Sequence, residues 1–144
     1  MIFAVVITLV ILLCFAVVAA IAKDRGPTPD DVAVSYEMAW DRFDFDVLWS
    51  LSGSELRDGL DRHEFVAAKR AAYTNQRALS ELGADVTIED SAVRGDAARV
   101  TTCVVLRDGT AVHNTVQLAR RTGRWQVVAY QLAADGDPAH HTPE

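Results

Sequence analysis

The sequence has few cysteines and no excess of basic residues, and each shortage excludes a class of protein. Its two cysteines, Cys14 and Cys103 in 144 residues, cannot supply the disulfide framework of a small secreted domain. Lys and Arg total 14 against 20 Asp and Glu, which gives a formal net charge of −6. This acidic balance disfavours nucleic acid and anionic lipid headgroups as partners. The length allows one domain with a modest core.

Charge, proline and glycine are all absent from residues 1–22, MIFAVVITLVILLCFAVVAAIA. Because a helix of about 20 apolar residues spans a bilayer core, we predict a transmembrane anchor at 1–22 and a linker at 23–27. A cleaved signal peptide is the alternative, since Ala20-Ile21-Ala22 resembles a cleavage site. The long apolar run and the lack of a preceding basic residue favour the anchor.

Two basic residues, Lys23 and Arg25, follow the apolar segment, and none precedes it. The positive-inside rule then predicts a single-pass protein of the plasma (inner) membrane with its soluble domain in the cytoplasm. An extracytoplasmic domain remains the alternative, because the bias rests on two residues only.

Capping residues mark the starts of two helices. Thr28 can cap a helix that begins with Pro29, and Asp61 can cap another in which Glu64 completes a capping box. The second pattern predicts a helix that continues to Leu82. A short helical turn is expected between the two helices. An apolar stripe runs along one side of the first helix and consists of Val32, Tyr36, Ala39, Trp40, Phe43 and Val47.

From residue 85 the apolar pattern changes to a period of two, which predicts four strands in an antiparallel meander. Around Asp108-Gly109, a three-residue loop with a left-handed glycine would pair Val104 with Val112 and keep the apolar faces together. In the last strand, simple alternation places Val127 and Tyr130 on opposite faces. The polar residues 134–144 are predicted to be a disordered tail.

The order of these elements resembles that of a known superfamily. The segments PDDVAVSYEMAWDRFDFDVLWSLSGSELRDGLDRHEFV and GDAARVTTCVVLRDGTAVHNTVQLARRTGRWQVV resemble nuclear-transport-factor-2-like proteins, most of all the small, membrane-tethered bacterial members. The resemblance implies an α+β domain over residues 28–133. Two long helices and a short one would pack on a curved antiparallel sheet of four or more strands and leave a conical pocket.

Members of this superfamily differ in function, so the resemblance does not imply one activity. Some are enzymes, namely ketosteroid isomerases, scytalone dehydratase, polyketide cyclases and epoxide hydrolases. Others bind protein partners or form homodimers through the sheet. The enzymes place carboxylates, or a histidine with a carboxylate, along the elements that line the pocket.

The last three predicted strands contain no such acid. Residues 97–106, 111–119 and 125–132 lack Asp and Glu, and their single histidine, His113, faces away from the apolar side by parity. We therefore expect a non-enzymatic domain, without metal or cofactor, that acts by protein–protein interaction or binds a small apolar ligand. The candidate pocket-lining residues are Tyr36, Trp40, Trp49, Tyr73, Thr102, Asn114 and Trp125.

Two further functions stay open. One is an isomerase, dehydratase or cyclase for a hydrophobic ring substrate, with Asp41, Asp44 or Asp46 as its acid; the other is an extracytoplasmic assembly factor. Asp44 also fits a helix cap where the first helix bends. Cys103 is expected to be a buried structural residue. His140-His141 lack further ligands for a metal.

Overall fold

A broken helix lies across a four-stranded antiparallel sheet, and a further helix packs beside it. The computed structural model describes residues 26–132. The helices are α1 (Pro29–Asp41), α2 (Phe45–Leu51) and α3 (Arg62–Tyr73), and the strands are β1 (Gly83–Arg94), β2 (Ala97–Leu106), β3 (Ala111–Arg121) and β4 (Arg124–Leu132). The strands pair in chain order, which confirms the predicted meander. Single 3-10 turns lie at Ser54–Leu56 and Arg77–Leu79.

The predicted anchor at 1–22 and the predicted tail at 134–144 lie outside the described residues. Within residues 26–132, no helix is both long and apolar enough to cross a bilayer.

Both predicted helix starts are confirmed. The backbone N–H of Asp31 donates to the Thr28 hydroxyl at 3.2 Å, and the Asp31 carboxylate accepts the Thr28 backbone N–H at 2.9 Å. Asp61 and Glu64 form the same reciprocal arrangement at the start of α3. Each pair satisfies backbone donors that have no partner inside the helix.

Asp44 determines where the broken helix bends. Phe43 adopts a left-handed φ of 53°, and the Asp44 carboxylate then accepts the backbone N–H of Val47 at 3.1 Å as the cap of α2. The predicted cap is therefore confirmed. The apolar stripe was predicted too long, because the break turns Val47 outward and leaves it 37% exposed.

We expect Asp44→Ala to lower the free energy of unfolding by about 1 kcal/mol, the usual cost of losing a helix cap. Asp44→Asn keeps an acceptor in place and is the matched control, with a loss of a few tenths of a kcal/mol expected. Urea denaturation followed by tryptophan fluorescence measures both variants. Equal losses in the two would show that the cap contributes nothing.

Helix α3 is shorter than the sequence predicts. It ends at Tyr73, where the Thr74 hydroxyl donates to the Arg70 carbonyl at 2.6 Å and the chain turns. Leu79 and Leu82, expected on the inner stripe, are 56% and 39% exposed. The apolar spacing was helical, but spacing alone does not supply a surface for these side chains to pack against.

The predicted register of the central hairpin is confirmed. Val104 pairs with Val112 and Val100 pairs with Val116, and Gly109 has the left-handed φ of 88° that the three-residue loop needs. The buried side chains of β2 and β3 therefore share the face on which α1 lies.

The alternation predicted for β4 is wrong at one point. Gln117 pairs with Ala129 but Leu118 pairs with Val127, so Val128 is an extra residue in a β-bulge. The bulge changes the parity of the strand. Val127 is fully buried, and the Tyr130 hydroxyl also reaches a buried residue of α1, although simple alternation separates the two residues.

The hydrophobic core lies between the three helices and the inner face of the sheet. Its buried members are Val32, Ala33, Tyr36, Ala39, Phe45, Leu48, Phe65, Val66, Ala98, Val100, Val116, Leu118 and Val127. These side chains pack the helices against the inner face of the sheet.

Candidate functional site

A single carboxylate, that of Glu37, lies buried between α1 and the sheet with three polar side chains around it. The hydroxyl of Thr102 donates to Oε1 at 2.6 Å, and the hydroxyl of Tyr130 donates to Oε2 at 2.7 Å. Nδ2 of Asn114 lies 3.1 Å from Oε1 and 3.2 Å from Oε2. We call these four residues the Glu37 cluster.

The hydrogen bonds of the Glu37 cluster use the full accepting capacity of the carboxylate. An ionised carboxylate has about four lone-pair positions, and each oxygen here has two donor contacts. Burying a carboxylate is costly unless it is hydrogen-bonded. The cluster therefore satisfies Glu37, which is 5% exposed, with neutral donors.

The sheet register positions the three donors. Thr102 on β2 and Asn114 on β3 are direct cross-strand partners, so their side chains emerge next to each other on the inner face. Tyr130 on β4 lies next to them because the bulge at Val128 turns its side chain to the inner face of the sheet. Glu37 reaches all three because it lies on the buried side of α1, next to Tyr36.

Glu37 forms no ion pair among the side chains that the structure describes. The ion pairs described there join Asp46 to Arg62 and Arg70, Glu89 to His113, and Glu55 to Arg121, and all lie at exposed positions. The described side chains thus place no cation in direct contact with the Glu37 carboxylate.

This environment perturbs two tyrosines. The pKa of Tyr130 is raised far above its usual range, mainly because the hydroxyl is buried and further because the negative charge of Glu37 lies next to it. Burial also raises the pKa of Tyr36, and Glu37 again adds to the effect. The two rings lie 5.4 Å apart. Both hydroxyls are therefore held in the neutral form.

Glu37 also borders a small cavity between α1 and the start of the sheet, which we call the α1–β1 cavity. Its volume is about 210 Å³. It is lined by Val34, Glu37, Met38, Asp41, Arg42, Gly83, Ala84, Asp85, Val86 and Val104. Three of these side chains are acids and one is basic, and the valines and Met38 supply an apolar surface.

The three aspartates that the sequence offered as catalytic acids have separate roles. Asp44 caps α2, and Asp46 pairs with Arg62 at 3.0 Å and Arg70 at 3.3 Å on the exposed side of the helices. Asp41 alone lines the α1–β1 cavity. Its Oδ1 accepts the backbone N–H of Gly83 at 2.7 Å, which ties the end of α1 to the start of β1.

The structure divides the predicted pocket-lining residues into three groups. Tyr36, Thr102 and Asn114 lie at or beside the Glu37 cluster. Trp40 and Tyr73 pack at 5.8 Å in an aromatic group with Phe43 and Phe45. Trp49 and Trp125 line a third region, a cleft of about 580 Å³ near Gly26.

Two residues of the cluster, Glu37 and Tyr130, were absent from the predicted site. Glu37 has a signal in the sequence, because it follows Ala33 by four residues and precedes Trp40 by three, which places it on the apolar side of α1. Tyr130 has no comparable signal, since the bulge that turns it inward leaves no mark in the alternation.

His113 and Cys103 lie away from the Glu37 cluster. His113 is exposed on the opposite face of the sheet, as its parity predicts, and its Nδ1 lies 2.8 Å from Oε2 of Glu89. Cys103 is half-buried and pairs with His113 across β2 and β3.

The fold is similar to that of solved bacterial proteins. One is an NTF2-like protein from Campylobacter jejuni, with 19% identity, a TM-score of 0.50 and coverage of 70% of this chain and 97% of that one. A SEC-C motif containing protein from Rhodopseudomonas palustris has 20% identity and a TM-score of 0.53, with coverage of 74% and 80%. An NTF2-like protein of unknown function from Silicibacter pomeroyi has 19% identity, a TM-score of 0.47 and coverage of 70% and 89%.

No protein-family model matches the sequence, and no curated protein matches it. At these identities the likeness to solved structures shows the fold alone. Residues 26–132 therefore have an α+β, NTF2-like fold with three helices and a four-stranded antiparallel sheet.

Proposed function

We propose that this NTF2-like domain is a non-enzymatic binding module for a small organic cation, which occupies the α1–β1 cavity beside Glu37. The observation that carries the proposal is the buried carboxylate that no described side chain pairs with a cation, located at the wall of a cavity of about 210 Å³. Arg42 is one basic residue against three acids in the lining, so a bound cation would balance the remaining negative charge.

The lining of the cavity fits such a ligand. Asp41 and Asp85 add negative charge at its edge, and Val34, Val86 and Val104 offer apolar contact. Pockets for drug-sized ligands usually measure about 300–1,000 Å³, so the α1–β1 cavity suits a smaller molecule. An alkylammonium group combines positive charge with an apolar surface and matches both features.

The hydrogen bonds of Glu37 favour binding over catalysis. A general base needs a free lone pair that faces the proton it removes. In Glu37 the donors from Thr102, Asn114 and Tyr130 occupy all four positions. The carboxylate can still attract a cation through its charge without giving up these bonds.

Choline and its neutral carbon analogue, in which a tert-butyl group replaces the trimethylammonium group, test this proposal. They have nearly the same shape, so isothermal titration calorimetry compares charge alone. We expect choline to bind and the neutral analogue to bind at least about tenfold more weakly, because charge pairs near a protein surface contribute about 1–4 kcal/mol.

The double variant Asp41→Asn/Asp85→Asn should weaken choline binding about tenfold or more for the same reason. Asparagine keeps the acceptor that Gly83 uses, so the fold is preserved. Asp90→Asn on β1, outside the cavity lining, is the matched control and should bind like the wild type. Equal binding of the charged and neutral ligands, or no binding of either, would refute the proposal.

The second candidate is proton transfer by Glu37 in an isomerase-like reaction. It is favoured by one observation, the contact of a buried carboxylate with the Tyr130 hydroxyl at 2.7 Å beside a cavity. It requires Glu37 to release one of its donors. Deuterium exchange next to the carbonyl of small ketones, followed by NMR, tests it: exchange that Glu37→Gln abolishes would support this function.

The binding module is held at the membrane by residues 1–22, with the domain on the cytoplasmic side. The uncharged apolar segment and the following Lys23 and Arg25 support this arrangement. Alkaline extraction should leave the protein in the membrane, and a reporter fused to the C-terminus should be active only in the cytoplasm. A mature chain that begins after Ala22 would instead identify a cleaved signal peptide.

An extracytoplasmic reporter signal would favour the alternative of an assembly factor. A protein partner, or a homodimer formed through the sheet, remains compatible with ligand binding in the cavity. Sedimentation of the purified chain distinguishes monomer from dimer.

A further inference from the structure

Three residues with metal-binding side chains meet on the face of the sheet opposite the Glu37 cluster. Cys103 on β2 and His113 on β3 are direct cross-strand partners, which brings their β-carbons within about 5 Å of each other. Glu89 joins them from β1, so three neighbouring strands contribute one residue each.

Alternation directs Glu89 to this face, because the preceding Ile88 pairs with the inner-face Thr102 and packs against the core. Asp90 pairs with Thr101, so Glu89 is also the extra residue of a β-bulge between two consecutive pairs. Bulges are common next to functional sites.

The ligand atoms of these residues, a carboxylate oxygen of Glu89, Sγ of Cys103 and a ring nitrogen of His113, all lie within 4.8 Å of one another. Oε2 of Glu89 is 2.8 Å from Nδ1 of His113. Zinc bonds of about 2.0–2.3 Å place tetrahedral ligands about 3.3–3.8 Å apart. The side chains need to move by about 1 Å, which the exposure of Glu89 and His113 permits.

We propose that Glu89, Cys103 and His113 form a binding site for a divalent transition-metal ion, with zinc as the best match. A thiolate and an imidazole favour zinc over the harder ions magnesium and calcium, which prefer oxygen ligands. Three protein ligands leave the fourth tetrahedral position open to solvent. Binding converts the Cys103 thiol to a thiolate, and its proton is released to water.

Cobalt(II) tests the site directly, because a bond between cobalt and a thiolate gives a charge-transfer absorption band in the near ultraviolet. The full chain carries three changes as background, Cys14→Ser, His140→Ala and His141→Ala, so that Cys103 is the only thiol and residues 134–144 contain no histidine. We expect the band to appear on titration with cobalt(II) and to disappear when zinc(II) displaces it.

Single variants in this background assign the ligands. Cys103→Ser, nearly the same size as the wild-type residue, should abolish the band. His113→Gln and Glu89→Gln should each weaken metal affinity more than about tenfold, since even indirect supports of a metal site contribute that much. His63→Gln on α3 is the control and should leave the affinity unchanged.

Absence of a thiolate band in the background chain would overturn the proposal, as would a band that survives Cys103→Ser. Unchanged affinity in both His113→Gln and Glu89→Gln would also overturn it. These two substitutions are at exposed positions, so they keep the test decisive even if Cys103→Ser fails to fold. Circular dichroism of each variant verifies the fold.

Discussion

Glu37→Met is expected to lower the free energy of unfolding by about 3–5 kcal/mol. Methionine fills a similar volume but accepts no strong hydrogen bond, so Thr102, Asn114 and Tyr130 each lose a partner. A buried polar group left without a partner costs about 1–3 kcal/mol. Relaxation shared among the neighbouring groups keeps the total below the simple sum. Urea denaturation followed by tryptophan fluorescence measures the change.

The matched control is Glu81→Met, at an exposed glutamate, where a change within about 0.5 kcal/mol is expected. A second comparison distinguishes the cost of leaving buried polar groups without a hydrogen-bonding partner from the cost of a general loss of packing. Adding Thr102→Val to Glu37→Met should cost less than the two single losses combined, because the Thr102 hydroxyl is then no longer left unpaired. Strict additivity would contradict the hydrogen bonds of the Glu37 cluster.

Alkaline pH is expected to destabilise the domain through Tyr36 and Tyr130. Both pKa values are raised from the usual 10.0 by burial and by the charge of Glu37. The stabilisation is therefore fully present below pH 10 and is lost as the pH rises from there towards the folded-state values. Tyr130, whose pKa lies far above its usual range, should contribute a loss of about 1.4 kcal/mol per pH unit above about pH 10, and Tyr36 adds a loss in the same direction.

The variant Tyr130→Phe removes the contribution of Tyr130 to this loss of stability at alkaline pH. The variant should be less stable than the wild type at neutral pH, because the Glu37 carboxylate loses a donor, and the difference should shrink above pH 10. Denaturation curves from pH 7 to pH 11 provide the measurement. A difference that stays constant over this range would mean that the Tyr130 hydroxyl is not held in its neutral form by the fold.

The sequence predicts the elements of the fold well where the signal is local. Thr28, Asp44 and Asp61 are caps because a short polar side chain can satisfy backbone donors only at a helix start. The three-residue loop at Gly109 follows from keeping the valines of β2 and β3 on one face. These inferences depend on neighbouring residues alone, and the structure confirms them.

The missed features depend on tertiary context. The bulges at Glu89 and Val128 each change the parity of a strand, and no residue type in either stretch requires a bulge. Tyr130 was therefore assigned to the wrong face. The apolar spacing beyond Tyr73 predicted a longer α3. The apolar face of a helix is stable only when it packs against another element of the fold, and the local sequence does not show whether such an element is present.

For the same reason, only two of the four residues of the Glu37 cluster were predicted from the sequence. Thr102 and Asn114 were expected as inner-face polar residues because alternation holds through β2 and β3. Glu37 was not predicted, because the last three strands contain no acid and the candidate acids, Asp41, Asp44 and Asp46, lie around the bend of the broken helix. A buried threonine and asparagine side by side require a hydrogen-bonding partner, and Glu37 on the covering helix is the residue that meets this requirement.

The most direct test of the central claim locates a bound cation by NMR. The backbone amide signals of the domain are assigned and followed during titration with choline. We predict that the shifts concentrate at residues 34–42, in α1 and at its C-terminal cap, and at residues 83–86 of β1, on either side of the α1–β1 cavity. Shifts confined to other surfaces, or no shifts at all, would contradict a cation site beside Glu37.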